Sequence, residues 1–384
     1  IGDAIQFSKY LFALSKKCKI IDFVLDDKLY PIFKKNFQNI NVLKKSEIVI
    51  KAYDYKISLG SLIKFFYNES DLKTFEKGDV LVAATVLNNA EDDHAGDGRI
   101  IQFDSELNLK GTLWTENTTH LVGGLKFDQD NNLWAFDSQN YSVVKVSPNG
   151  EQINQIDFGA RSFSNACFSS NGDIFLGEHL VGDESNNKAL EGPRKLKTVL
   201  PFMPDTKRYG DGNLYKFSSD GDLKETFETE THGGMPGFLG VTSSAIDPDE
   251  SKIVYISELG NRIFQYDIIN NQQMDDLITF EPDSGNLVIA ISYAPNGDFY
   301  SIKANFREGF ALCQHDSYSG EIIKEKILPG PGWASLCLSS DNETAVIGNF
   351  FNGQIGKFII DTGEIIATAE TNVERSLAGI AEFN

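Results

Sequence analysis

The sequence predicts a mainly β chain: a six-bladed β-propeller closed by its C-terminal strand, preceded by a small N-terminal α/β segment. Three observations carry this expectation. Short apolar or alternating runs, each bounded by turn residues, recur through residues 78–384. A five-residue turn cluster returns at one point of that pattern, as Asp128-Gln129-Asp130-Asn131-Asn132, Ser169-Ser170-Asn171-Gly172-Asp173, Asp247-Pro248-Asp249-Glu250-Ser251, Ala294-Pro295-Asn296-Gly297-Asp298 and Ser339-Ser340-Asp341-Asn342-Glu343. Apart from one gap lengthened by an insertion at 180–211, these clusters lie about 45 residues apart, the period of a propeller blade.

Charge divides the chain into 1–77 and 78–384. The first part carries 14 Lys/Arg against 9 Asp/Glu, the second 21 against 46. Within the first, helical apolar spacing at 4–14, a short strand at 19–25, an amphipathic helix at 27–37, a second strand at 48–50 and an apolar stretch at 57–66 alternate as an α/β layer does. Residues 68–77 are polar and without periodicity, as a linker is. The opening GDAIQFSKYL, followed by a strand and then DYKISLGSLIKFF, resembles the C-terminal catalytic region of bacterial tetratricopeptide-linked glycosyltransferases of the two-lobed, doubly wound class, over residues 1–66. That resemblance implies part of one lobe. No second helix-strand lobe or Gly-rich phosphate loop follows Phe66, so no sugar transfer by this segment alone is expected.

The second part reads blade by blade. Strands are expected at 78–85, 98–104 and 109–114; at 122–127, 133–136, 142–146 and 152–156; and at 163–168, 173–177, 213–217 and 223–229. They continue at 240–246, 253–257, 262–266 and 275–280; at 288–293, 298–302, 309–314 and 322–328; and at 333–338, 344–347, 354–359 and 365–369. One strand, 377–383, is left over. Pairing it with 78–85 completes the sixth blade and removes the two open edges of a linear array. Phrases such as GGLKFDQDNNLWAFDSQNYSVVKVSPNG and AISYAPNGDFYSIKA resemble the six-bladed group that includes NHL-repeat proteins and gluconolactonase-type lactonases. The lactonase resemblance implies a divalent cation held by a Glu and Asn/Asp residues of inner strands. Glu382 in GIAEFN and Asn165 in RSFSNACF match in kind and place, while GVTSSAID and LVIAISY supply no such ligand.

One propeller face is built by the loops between second and third strands and by those leading into the next blade. His94 and His179 are expected in the former and His120 and His232 ahead of innermost strands, with His315 at the opposite end. Asp137, Glu178, Glu258, Lys303, Asn305 and Asn349 fall on the histidine-bearing face, and Asn165 and Glu382 nearer the channel mouth. A polar loop residue taken singly is ordinarily a solvated one, and no H-x-x-H spacing fixes a pair. Convergence is the argument for a site, because each blade supplies one ligand without a short motif. Hence His94, His120, His179 and His232 are candidate ligands of a divalent metal ion, and His120, His232 and Glu178 candidate catalytic acids or bases. Asn165, Glu258, Lys303, Asn305 and Asn349 are candidate ligand contacts, as are Arg194 and Lys195 of the basic insertion, read as a lid over an anionic ligand.

Two functions follow from this reading: a metal-assisted, lactonase-like hydrolase or lyase acting on a small anionic or carbohydrate-derived molecule, or a non-catalytic propeller that binds a glycan or a protein. An acidic excess of this size disfavours nucleic acid, whose affinity comes from Lys/Arg on phosphates. No apolar run reaches the roughly 18 residues of a membrane span, and a cytoplasmic protein without membrane contact is expected. Cys18, Cys167, Cys313 and Cys337 are far apart and form no C-x-x-C pair, so buried free thiols are expected in place of a disulfide framework.

Overall fold

The computed structural model describes residues 11, 14, 18–37, 40–47, 71–89, 92–116, 118, 124–138, 140–153, 157–159, 161–180, 212–230 and 239–384. The chain divides into two compact units, Ile1–Glu69 and Ser70–Asn384.

In the first unit, strands β1 (Asp22–Leu25) and β2 (Asn41–Lys44) run parallel, Asp22 opposite Asn41, and helix α1 (Tyr30–Asn36) connects them. Parallel neighbours need such a crossover. Pro31 opens the helix at a position whose amide would have no carbonyl partner. Phe33 is the buried residue of α1 and meets Phe23 of β1 edge-on, ring centroids 5.7 Å apart. Leu11, Leu25, Leu29, Ile40 and Val42 complete this small core. The expected strand at 48–50 and the stretch at 57–66 lie outside the described residues, as does 4–14 apart from Leu11 and Leu14.

The second unit is the six-bladed propeller. Blade 1 combines β3 (Val80–Asn89), β4 (Asp92–Phe103), β5 (Leu109–Trp114) and the C-terminal β28 (Leu377–Glu382). Blade 2 holds β6 (Lys126–Phe127), β7 (Leu133–Asp137), β8 (Ser142–Val146) and β9 (Gln152–Ile153). Blade 3 holds β10 (Phe163–Phe168), β11 (Ile174–Leu180), β12 (Leu214–Phe217) and β13 (Leu223–Phe227), with β14 (Leu239–Gly240) added to β11. In blade 4, β15 (Ser243–Ile246), β16 (Lys252–Ile256) and β17 (Arg262–Asp267) are followed by β18 (Gln272–Gln273) and β19 (Ile278–Thr279), which share the fourth position. Blade 5 is β20 (Leu287–Tyr293), β21 (Phe299–Asn305), β22 (Gly309–His315) and β23 (Ile322–Ile327). Blade 6 is β24 (Trp333–Leu338), β25 (Thr344–Asn349), β26 (Gln354–Ile359) and β27 (Ile365–Glu370). The ring closes as expected: β28 is antiparallel to β3, Glu382 opposite Val80, and the Phe383 amide donates to the Asp79 carbonyl at 2.8 Å.

The repeated turn clusters share one backbone feature. In each, the fourth residue adopts a positive φ: Asn131 62°, Gly172 86°, Glu250 53°, Gly297 90° and Asn342 59°. Asn and Gly tolerate that region, which explains their recurrence; Glu does not. The Glu250 carboxylate accepts from the Ser170 amide at 2.6 Å and the Ser170 hydroxyl at 2.9 Å in blade 3, contacts that offset the strain.

Two differences from the sequence reading concern blade 1. The β3–β4 hairpin is longer than expected, so His94 falls within β4. Within the expected linker, Leu72 and Phe75 are buried in the propeller core. Phe75 packs with Phe127 and Phe383, the three ring pairs 5.3 to 5.8 Å apart, and its amide donates to the Pro148 carbonyl. Polar neighbours concealed two anchors. Of the free cysteines, Cys167 and Cys313 are buried, whereas Cys18 is exposed, contrary to the expectation. No helix among the described residues is long and apolar enough to cross a membrane.

Candidate functional site

Each innermost strand, β28, β6, β10, β15, β20 and β24, is the end strand of its sheet. One row of its backbone amides and carbonyls therefore has no strand partner and faces the propeller axis, which makes an axial channel polar whatever its side chains. The channel holds a cavity of about 350 Å³, whose lining includes Lys126, Asn165, Glu258, Ser292, Cys337 and Glu382. Four innermost strands carry a bulge at the equivalent place, skipping Ser164, Ile289, Ala334 and Ala378. Such a bulge re-aims a strand locally, and the last three of these residues line the cavity.

Glu258 stands just beyond β16, in a loop fastened to two inner strands. Its amide donates to Thr242 Oγ1 at 2.7 Å and the Leu259 amide to the Val288 carbonyl at 2.9 Å. Its carboxyl lines the cavity and has no hydrogen-bond or ion-pair partner among the described residues. Burial pushes this half-buried carboxyl from its ordinary 4.5 up to about 7. The folded chain therefore retains a proton that the unfolded chain has already released across that window, so stability falls as pH rises through it. Glu258→Gln removes the penalty. Because the side chain keeps some solvent contact, we expect the variant to gain roughly 2 kcal/mol over the parent at pH 8 and only about 0.5 kcal/mol at pH 5. Urea unfolding at both values checks this; an equal gain at both would show that ionisation is not the cause.

Most other expected residues have their polar atoms committed to the protein. Asn165 lines the cavity, but its amide donates to the Val241 carbonyl (2.9 Å) and Ser164 Oγ (3.0 Å), and its oxygen accepts from the Ser244 hydroxyl. A side chain at Gly177 would meet that amide at 2.7 Å, so glycine is required there. Glu178, fully buried, accepts from Arg161 (3.1 Å), the Tyr215 hydroxyl (3.0 Å) and the Gly212 amide (3.2 Å). Lys303 pairs with Glu325 of its own blade at 2.7 Å. Asn305 and Asn349 cap the loops after β21 and β25: their oxygens accept from the amides of Arg307 and Phe351 at 3.0 Å, and their amides donate to the carbonyls of Ser284 and Pro331. Asp137 acts likewise on the Asn140 amide.

Of the histidines, His179 lies in β11 with its backbone opposite Gly240, and His94 lies in β4, its side chain not among those described. His120, His232, Arg194 and Lys195 lie outside the described residues. His315 is buried at the far end of β22, bonded to Ser301 Oγ (2.7 Å) and the Gly320 carbonyl (2.9 Å), and burial lowers its pKa.

Glu382, expected near the histidine-bearing mouth, is at the opposite end of its strand. Its Oε1 accepts from the Ser340 amide at 3.1 Å, in the turn between first and second strands of blade 6. Asn165 is the third residue of β10 and Glu382 the sixth of β28, an offset of about 10 Å along equivalent strands. With the Asn165 oxygen occupied and Glu382 at the other end, the two donors implied by the lactonase resemblance do not fit one cation. Among the described residues no group of three or more His, Cys, Asp or Glu is placed to hold a metal.

Lys126 is the channel residue that sequence reasoning missed. Its signal was present: a lone charge in the inner run GGLKF, between Leu125, which is buried, and Phe127.

No protein-family profile and no curated protein matches the chain. Solved structures do. The chain is similar to one in the crystal structure of a nidogen/laminin complex, at 12% identity and a TM-score of 0.53, over 80% of this chain and 99% of that one. It is also similar to a protein of unknown function from Bacteroides caccae, at 10% identity and a TM-score of 0.52, over 80% of this chain and 100% of that one. At such identities the likeness shows the six-bladed fold.

Proposed function

We propose that this chain is a ligand-binding propeller that takes a small polar molecule into its axial channel, with Glu258 as a contact at the histidine-bearing end. The observation that carries this reading is the contrast within the expected site. Asn165, Glu178, Lys303, Asn305 and Asn349 are held by intramolecular bonds, whereas Glu258 borders an open cavity with its carboxyl free of partners among the described residues. The cavity is at the lower end of the range for small-molecule sites, about 300 Å³ upward. Ala334→Phe fills the channel from the inner strand of blade 6. Calorimetric titration with free amino acids, glucose and gluconate is expected to show saturable binding by the parent and none by this variant. Equal binding by both would place the ligand elsewhere.

A second reading, a hydrolase or lyase, is favoured by the Glu258 carboxyl itself, poised near neutrality in a cleft as a general acid or base must be. A metal at His94, His120, His179 and His232 belongs to that reading, where it would polarise an oxygen or activate water. Metal content of protein purified without an affinity tag, beside His120→Ala and His232→Ala, tests it. Stoichiometric metal lost in both variants favours the enzyme; a metal-free parent removes the cofactor.

A further inference from the structure

The far end of the channel has a charge arrangement that the fold does not use. The innermost strands end together, at Phe127, Phe168, Ile246, Tyr293, Leu338 and Glu382. Their penultimate residues therefore form one layer. Five of the six are small: Cys167, Ala245, Ser292, Cys337 and Ala381. The sixth is Lys126. Its ammonium has no hydrogen-bond or ion-pair partner among the described residues, and its charge acts on the thiols of both Cys167 and Cys337. Lys126 lines the channel cavity together with Cys337 of blade 6.

Glu382 borders the same layer from blade 1. It is 7% exposed; Oε1 accepts from the Ser340 amide and hydroxyl, while Oε2, out of contact with solvent, accepts no hydrogen bond among the described residues. A buried carboxylate oxygen left so is costly. Lys126 does not meet that need, since the two groups form no ion pair although both line the cavity and both act on Cys337. A cation and a carboxylate, each with an atom unpaired among the described residues, thus line a single cavity bounded by Ser292, Cys337 and Ala381.

We propose that this end of the channel binds a small zwitterion of the amino-acid class, its carboxylate on the Lys126 ammonium and its protonated amine on the Glu382 carboxylate. The inference rests on the reading of the channel as a small-molecule site and adds a charged subsite at the end opposite Glu258. A neutral sugar would leave both charges unpaired, and a simple anion or amine would pair one of them. The zwitterion pairs both without changing the net charge of the cavity.

The test is calorimetric titration of the whole chain with the protein amino acids and γ-aminobutyrate, beside propionate and ethylamine as single-charge probes and glucose and gluconate as uncharged and purely anionic polyols. At least one zwitterion is expected to bind about tenfold or more tightly than propionate or ethylamine. Lys126→Met and Glu382→Gln are each expected to weaken it by at least about tenfold, with thermal melts checking that the variants fold. Should Glu382→Gln not fold, the comparison of zwitterion with single-charge probes on the parent still decides. Zwitterion binding unchanged in both variants would overturn the assignment. Binding of glucose or gluconate alone, abolished by Ala334→Phe, would overturn the zwitterion while leaving the channel as the site. No binding by any probe would remove both.

Discussion

A chain ending at Ser376 is expected to lose cooperative folding and to aggregate. The missing strand, β28, supplies the inner position of blade 1, and three of its residues, Leu377, Ile380 and Ala381, are almost wholly buried. Leu377 lies so close over Gly348 of blade 6 that a side chain there would meet its methyl carbon at 2.2 Å. The same strand covers the edge of β3, whose Val80, Val82 and Ala84 are fully buried in the intact ring. Losing these side chains with a ladder of backbone bonds costs roughly 5–10 kcal/mol, comparable to the whole stability of an ordinary domain. What remains is an exposed apolar edge that templates intermolecular pairing. Urea unfolding with light scattering is the measurement. A truncated chain with the parent's midpoint and slope would mean that the ring does not depend on this closure.

How far the fold was legible follows from which residues carried the signal. The blade count came from the turn clusters, and the positive φ at their fourth position shows why: backbone geometry there admits few residue types, so it leaves a mark in the sequence. The closing strand was legible for a related reason, an unpaired run at the end of an otherwise complete count. Leu72 and Phe75 were not, since two apolar residues among charged ones have no period. In the first unit, Asn41–Lys44 was missed because a four-residue strand with one buried side chain, Val42, carries too little pattern. At the site, sequence named residue types but not their hydrogen-bond balance. Asn165 and Glu258 looked alike as polar residues near the mouth; only their surroundings separate an amide bonded on both sides from a carboxyl with no bond among the described residues. Lys126 was hidden in a run that reads as core, its neighbours being Leu125 and Phe127.

Arg161→Met is expected to destabilise the protein by about 3 kcal/mol. Glu178 is fully buried at the end of blade 3, and the Arg161 guanidinium reaches both its oxygens, at 3.1 and 3.4 Å, while lying 4.5 Å from the centre of the Tyr215 ring. Removing one partner of a buried ion pair leaves the other charge uncompensated, and that penalty, more than the lost attraction, sets the roughly 3–5 kcal/mol range. The lower end applies here because the Tyr215 hydroxyl and Gly212 amide still donate to Oε2. If the uncompensated charge is the cause, neutralising it should help. Glu178→Gln placed in the Arg161→Met background is therefore expected to recover about 1–2 kcal/mol, although the same change in the parent chain destabilises it, because there it breaks a formed pair. A double-mutant cycle by urea unfolding gives the sign directly. Additive losses would show that Arg161 acts by packing on Tyr215 and that Glu178 does not depend on it. A positive coupling would make Glu178 the electrostatic anchor of the blade 3 mouth, which leaves Glu258 as the carboxyl lining the cavity at that end.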